Sequence, residues 1–416
     1  MKIEHHPKRV VFRSLLDIKV TQLNWILLVL WIYFLGVQIE LKFLSFRFAP
    51  SDFFMVIFWA LNLLNRKVNL ESFISSDLIL MLLVFTISSS IGLLRTQTLL
   101  TYTIINKYVG LLILIFSFFF IKNVIKDSEP TFKRTLSVIV FSGGMLNILY
   151  IFLLLVFPGS SIVRNTLLYG QSRLRGLLVD PNAYGGFLSI IFLLGLYLLI
   201  EEKNRNKKII YSVICITTFI GIILTFSRSA LLGFFVGLII ATYFYKELRK
   251  YFFVALCVFV LCLLSYLNKT ATFKDIVYFL MRPNTIKARL DFIVSGLELF
   301  SKHPIFGIGL GSYFAITGVI IHNTYIWFLV EMGTVGFFIL ILFLLHILQT
   351  NISLIKNLRK TSQDLFSVAV GLFSAILAVL VYGVGIEFLY QRYLWLFFAL
   401  LQALLVIYKK EVNVNI

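Results

Sequence analysis

The sequence predicts an all-α polytopic membrane protein with about twelve transmembrane helices, and three observations carry that prediction. Of 416 residues, 60% are hydrophobic and only 14% are charged, where a soluble domain has about 45–50% apolar and about 25% charged residues. Mean hydropathy is +0.95. Apolar runs of about 20 residues, each long enough to cross a hydrocarbon core, recur along the whole chain. Strand-type alternation of apolar and polar residues is absent, which argues against a β-barrel.

Taken in order, residues 1–22 are basic and are followed by no short apolar core with a small-residue cleavage site. They read as a cytoplasmic tail before a retained first helix. The expected spans are 23–41, 47–64, 76–94, 102–121, 135–157, 182–200, 209–226, 229–245 and 251–267, which make nine helices within 23–267. A large extracytoplasmic loop, 268–320, follows. Spans 321–348, 363–386 and 390–408 make three more helices within 321–408, and 409–416 forms a C-terminal cytoplasmic tail. The second span is the least regular, since Arg47, Pro50 and Asp52 lie near its start. The short TFSRSALLG stretch between the seventh and eighth spans predicts a tight turn.

Orientation follows from the basic residues. With the N-terminus inside, the inner segments hold 23 of the 38 Lys and Arg, and six of the outer 15 sit in the one long loop, where charge weighs little in the positive-inside rule. Both termini are therefore expected in the cytoplasm. The net charge of +19 would suit a nucleic-acid binder, but the basic residues are scattered through short loops and form no basic domain. Cys215, Cys257 and Cys262 fall inside apolar runs, with no metal-ligand spacing, and read as small core residues. No metal site is expected.

Two outer segments are longer than a connection requires, 158–181 and 268–320, and long loops tend to carry function. Within the second, Leu290, Ile293, Leu297 and Phe300 recur at helical spacing and predict an amphipathic helix on the outer surface. The HPIFGIGLGSY stretch then turns back toward the membrane. Its glycines, Gly307, Gly309 and Gly311, follow no strand, so a dinucleotide loop is a poor reading; a tight turn or a close backbone approach suits them better.

The expected outer face is rich in arginine: Arg47, Arg95, Arg164, Arg173, Arg175, Arg228, Arg282, Arg289 and Arg392. Arginine binds phosphate bidentately and stays charged, so such a cluster suits a diphosphate; lipid headgroup contact is the alternative. Arg228, wedged between two apolar runs, is a functional candidate by its placement alone. His322 stands at the outer boundary of a span and is available as a general base near neutral pH. Glu331, nine residues on, would lie about 13 Å along a straight helix and on a nearly opposite face, so it is expected to pair with another span or with an arginine reaching down. His303 reads as part of a turn before Pro304. Asp180 or Asn182 could cap the span that begins there.

At these residues the chain resembles the O-antigen ligase/polymerase superfamily of bacterial envelope glycosyltransferases. The family pattern at the end of the large outer loop stands here as His322, Asn323, nine residues, Gly333, two residues and Gly336. The stretches RLRGLLVDPNAYGGF, TFSRSALLG and ARLDFIVSGLELFSKHPIFGIGLGSY carry the rest of the likeness, from 173 to 336. The resemblance implies a metal-independent, inverting transferase of the C type that needs no cofactor. It would take a glycan from undecaprenyl diphosphate at the outer face of the inner membrane. It implies His322 as the base that deprotonates the acceptor hydroxyl, and Arg228, Arg289 and, second, Arg175 as holders of the diphosphate. Asn323, Glu331, Asp180 and Asn182 are supporting residues.

Such proteins act as polymerases of lipid-linked repeat units or as ligases to lipid A–core, and the motifs do not separate the two. An Ile-, Phe-, Asn- and Lys-rich composition tilts the reading toward a polymerase for capsule, exopolysaccharide or O-antigen. The partners expected are the lipid-linked glycan and the bilayer, with a chain-length regulator and a flippase open and no nucleic acid. A transporter of the same lipid-linked oligosaccharide should instead show charge near the midplane and repeated halves, and no repeat is visible. A non-catalytic scaffold is the third reading.

Overall fold

The computed structural model describes residues 21–41, 46–64, 76–96, 100–126, 128–170, 172–178, 180–267 and 283–414. The basic segment 1–20, the 65–75 connection and residues 268–282 of the expected outer loop, with Arg282, lie outside the described residues, as do the side chains of Arg47 and Cys262.

A helix lies on each of the twelve expected runs. In chain order these are α1 Thr21–Tyr33, α2 Pro50–Leu64, α3 Ser76–Thr96, α4 Gly110–Ile125 and α5 Glu129–Val156. After the short α6, Ser161–Leu167, come α7 Pro181–Glu201, α8 Arg205–Leu224, α9 Arg228–Phe244 and α10 Arg249–Leu267. Then follow α11 Pro283–Lys302, the short α12 Ser312–Thr317, α13 Thr324–Thr361, α14 Gln363–Tyr382 and α15 Arg392–Val414. Eight of the described helices are long and apolar enough to cross a membrane; α1, α2 and α9 are apolar but shorter. The protein is an all-α, multi-pass membrane protein. The only described strands form two short antiparallel pairs, Ile39–Leu41 with Phe46–Phe48 and Leu168–Tyr169 with Arg173–Leu174.

Several helices extend beyond the apolar runs that mark them, α5 and α13 among them. Helix α5 begins at Glu129, because Ser128 caps it by accepting from the Thr131 N–H and Pro130 stands in its first turn, where proline's missing N–H costs nothing. Helix α13 continues through the expected inner segment 350–362, because Asn351, Leu354, Ile355 and Leu358 keep a buried stripe going.

Helix α7 is the hub. Every residue from Pro181 to Tyr197 is buried, as expected of a helix apolar on all sides, and it packs against α5, α8, α9 and α14. Helices α9 and α14 approach through small residues at four-residue spacing. A Cβ on Gly233 would stand 2.4 Å from the Ala378 carbonyl, and one on Gly237 2.9 Å from the Ser374 carbonyl. In lipid, where burial does not drive helices together, such close packing of small residues is what holds them.

Helix α13 is broken at Gly333, whose φ of 70° and ψ of −172° are not helical. The break leaves the Val330 and Glu331 carbonyls without intrahelical donors, and a break at membrane depth persists only if protein supplies substitutes. The 304–310 loop does so. Ile308 N donates to Val330 O and Gly309 N to Glu331 O, both at 3.0 Å, while Thr334 N donates to Pro304 O at 2.9 Å and Val335 N to Ile305 O at 3.2 Å. Helix α3 closes the arrangement: Ser88 Oγ donates to Glu331 O and Leu310 N to Ser88 O, both at 2.9 Å, and Arg95 donates to Gly307 O at 3.0 Å. The glycine-rich loop is thus a close backbone approach, into a broken helix.

Helix α11 forms where the apolar spacing predicts, but it presents a different face to the protein. Phe292, Leu299 and Phe300 pack on the core and Gly296 is buried, whereas Leu290 and Leu297 are exposed. The contact with α13 is close at a small residue: a Cβ on Gly296 would stand 3.0 Å from Ile321 and 3.1 Å from Val330, so both side chains would have to give way. The stripe centred on Gly296 therefore turns inward, and Tyr313 fixes it by donating to Phe292 O at 2.9 Å.

Candidate functional site

The site is built at the ends of helices. Between α8 and α9, Thr225 and Ser227 are fully buried. Thr225 Oγ1 accepts from Ser227 N at 3.2 Å, and Ser227 Oγ accepts from Ala230 N at 3.3 Å as the cap of α9. Phe226 between them has φ +48°, a left-handed conformation uncommon outside glycine. This strained turn replaces a loop and sets Arg228 as the first residue of α9.

The RLRGLLVDPN stretch docks on the same turn. Arg173 donates Nε to Thr225 O and Nη2 to Asn182 Oδ1, both at 3.0 Å. Asp180 caps α7, its Oδ1 accepting from Asn182 N at 2.7 Å and from Asn182 Nδ2 at 3.0 Å. Asp180, not Asn182, is therefore the cap, and Asn182 serves as the joint between Asp180 and Arg173. Arg175 donates to Asn165 O at 2.9 Å, within its own loop. The bridging arginine is Arg173, two residues before the one the resemblance marks.

Asn323 caps α13, its Oδ1 accepting from Tyr325 N at 3.0 Å and Ile326 N at 3.1 Å, which leaves His322 just ahead of the helix. Glu331 lies two turns inside and is 2% exposed. Its carboxylate accepts from Gly311 N at 2.9 Å, Tyr313 N at 3.2 Å and the Trp327 indole at 2.6 Å. Its partners are thus the glycine loop, the start of α12 and its own helix. Lys107, on another span, acts on it electrostatically, but its hydrogen bonds come from the loop and its own helix and not from an arginine. Arg392 makes a bidentate pair with Asp52, at 2.9 and 2.6 Å, which locks α15 to α2.

Four charged side chains from four segments act electrostatically on His322: Asp180, Arg289, Glu387 and Lys107. Burial is the largest influence and holds the imidazole below its ordinary range, Asp180 opposes that shift and Arg289 reinforces it. The guanidinium of Arg289 lies at the tip of the α14–α15 link: a Cβ on Gly385 would stand 3.6 Å from Arg289 Nη1 and 2.4 Å from Ser229 Oγ. Arg289 therefore sits beside the residue that follows Arg228. His322, Arg289 and Asp180, spread over about 140 residues of sequence, thus come together near the start of α9, which Arg228 opens.

Lys107 and Glu387 are not among the residues that motifs mark. Lys107 lies in a π-helical stretch, Leu100–Val109, that leads into α4, and π-helical turns recur at functional sites. It pairs with Glu387. The signal for each was a lone charge inside or between apolar runs, which is a functional pointer in a membrane protein.

A multi-pass membrane bundle whose half-buried histidine and arginines lie at helix ends defines a membrane-embedded transfer or binding protein. Residues 213–341 match the family model described as O-Antigen ligase, a match that takes in Arg228, Arg289, His322, Gly333 and Gly336. The match supports membership of the O-antigen ligase/polymerase superfamily and a glycosyltransferase-like ligase or polymerase function in general. No curated protein matches the chain.

Proposed function

We propose that the protein polymerises undecaprenyl-diphosphate-linked oligosaccharide repeat units at the outer face of the cytoplasmic membrane, for capsule, exopolysaccharide or O-antigen. The observation that supports this most is the convergence of His322 with Arg289 and Asp180, and of Arg289 with the start of α9 at Ser229. In this reading neutral His322 takes the proton of the acceptor hydroxyl. The acceptor oxygen attacks the anomeric carbon, the carbon–oxygen bond to the diphosphate breaks, and the configuration inverts. The diphosphate leaves with the electron pair, and Arg228 and Arg289 stabilise the charge that develops there, a role suited to preorganised guanidinium groups. Arg289 has a second effect, since a cation beside the imidazole keeps the base unprotonated. Arg175 is assigned, second to Arg228 and Arg289, to the diphosphate, with Asn323, Asp180 and Asn182 shaping the pocket and Glu331 holding the loop behind it. Both termini are assigned to the cytoplasm, and a chain-length regulator and a flippase are the expected protein partners.

The description of the matched family model favours a second reading, ligation of the lipid-linked glycan to lipid A–core. Purified protein in proteoliposomes, given a synthetic polyprenyl-diphosphate-linked repeat unit with or without lipid A–core, separates the two. A polymerase extends the repeat unit alone, whereas a ligase forms product only when lipid A–core is present. No product under either condition, from protein that is folded and correctly inserted, would overturn both.

A further inference from the structure

Lys107 and Glu387 form an ion pair that the reaction above leaves unused. Their side chains are only 8% and 12% exposed. Three aromatic rings box the ammonium of Lys107, with centroids at 4.4 Å for Tyr390, 4.9 Å for Trp327 and 5.6 Å for Tyr102, an arrangement that compensates a desolvated cation. Glu387 is also fixed through its backbone. Thr324 Oγ1 donates to Ile386 O at 2.6 Å and accepts from Phe388 N at 2.9 Å, so one buried hydroxyl grips the residues on either side of Glu387. Thr324 opens α13, two residues past His322. A buried ion pair is a weak source of net stability, because desolvation consumes most of the attraction. The placement of this one beside the histidine's helix start points to another role.

We infer that Glu387, held by Lys107 and Thr324, is a positioning residue for His322, an inference that rests on the proposed transfer reaction and deepens it. The charged groups around the imidazole come from every side: Asp180 at the cap of α7, Arg289 on α11, Glu387 on the α14–α15 link and Lys107 before α4. As the imidazole takes up the acceptor proton it becomes a cation. Asp180 and Glu387 favour that cation, while Arg289 and Lys107 oppose it. Lys107 holds Glu387 in place, and the pair together sets how readily His322 accepts the proton.

The test reads His322 directly. Purified wild-type protein and the variants Glu387→Gln, Lys107→Met and the double variant are treated with diethyl pyrocarbonate across pH 4.5 to 8. The His322 peptide is then quantified by mass spectrometry, since the reagent reacts with neutral imidazole. Removing the carboxylate should move the half-reaction point to lower pH by roughly half a unit or more. Removing the cation should move it to higher pH, and the double variant should lie near wild type. A purely structural clamp would lower the yield of protein without moving the curve. If Glu387→Gln does not fold, Lys107→Met still decides: an upward shift supports the inference and an unmoved curve overturns it. Glycan transfer by the same proteins keeps the two questions apart. Curves that move while His322→Ala retains transfer would sink the catalytic reading and leave the positioning role standing.

Discussion

Gly307 occupies the break that Gly333 opens in helix α13. A Cβ on Gly333 would stand 2.2 Å from the Ile305 carbonyl, and one on Gly307 2.5 Å from the Glu331 carbonyl carbon; the two residues have φ of +70° and +71°. The two glycines are thus one device, in which the helix parts and the loop supplies the missing hydrogen bonds. Either residue changed to alanine meets both a disfavoured backbone conformation and a backbone clash. Gly333→Ala is expected to cost at least about 2 kcal/mol of stability, seen as a lower Tm in detergent and less protein in the membrane. An unchanged Tm would contradict the arrangement.

Glu331 belongs to the same device. It accepts from two loop N–H groups and one indole N–H. Glu331→Gln loses the charge and aims an amide NH2 at donors, so a loss of about 2–4 kcal/mol is expected, and Glu331→Ala should be at least as damaging. Transfer per folded molecule should fall less than total transfer. The check is Tm and specific activity measured on the same preparations; a large loss of specific activity at unchanged Tm would instead place Glu331 in the chemistry.

Asp52 and Arg392 are the second buried pair, with side chains only 10% and 13% exposed. Removing one partner strands a buried charge and is expected to cost about 3–5 kcal/mol. Asp52→Asn combined with Arg392→Gln should be less damaging than the sum of the single changes, with a coupling of about 0.5–3 kcal/mol. Additive losses in Tm would show that the pair contributes nothing as a pair.

Much of this was legible in the sequence, for a physical reason: a bilayer imposes length and apolarity on a span, so a helix lies on each expected run, and among the described residues eight are long and apolar enough to cross. The turn at Ser227 and the cap at Asp180 were legible because short polar residues at helix starts have few other uses. The break at Gly333 was hidden because the apolar pattern runs through it unchanged, and only the loop partners make it possible. The helix α11 was legible in its apolar spacing, whereas the residues it packs inward, Phe292, Gly296 and Leu299, were not. Arg173 was eclipsed by Arg175 because adjacent loop positions are equivalent until the hairpin Leu168–Leu174 sets their directions. Lys107 and Glu387 lie 280 residues apart, and no local pattern joins them.

The pH dependence of transfer follows from the surroundings of His322. Burial, reinforced by Arg289, lowers its proton affinity below the ordinary value near 6.5. The neutral imidazole is the working base, so activity should be full at pH 7 and fall only as pH drops through that lowered value. The acid limb is expected below pH 6.5, and Arg289→Gln should move it upward while reducing the rate. A limb at or above 6.5 in the wild type would contradict the described environment. The same shift affects stability: the unfolded chain binds the proton more readily, so stability rises with pH between the lowered value and 6.5.

The most direct test of the central claim is complementation of a strain lacking this protein, with surface glycan resolved by gel. Wild type, His322→Ala and Arg289→Ala are compared at matched membrane levels. Both variants are expected to lose the long-chain ladder, by about 10²-fold or more for His322→Ala, while single repeat units still reach the surface. A full ladder from His322→Ala would contradict the assignment of the base and return the protein to the transporter or scaffold readings.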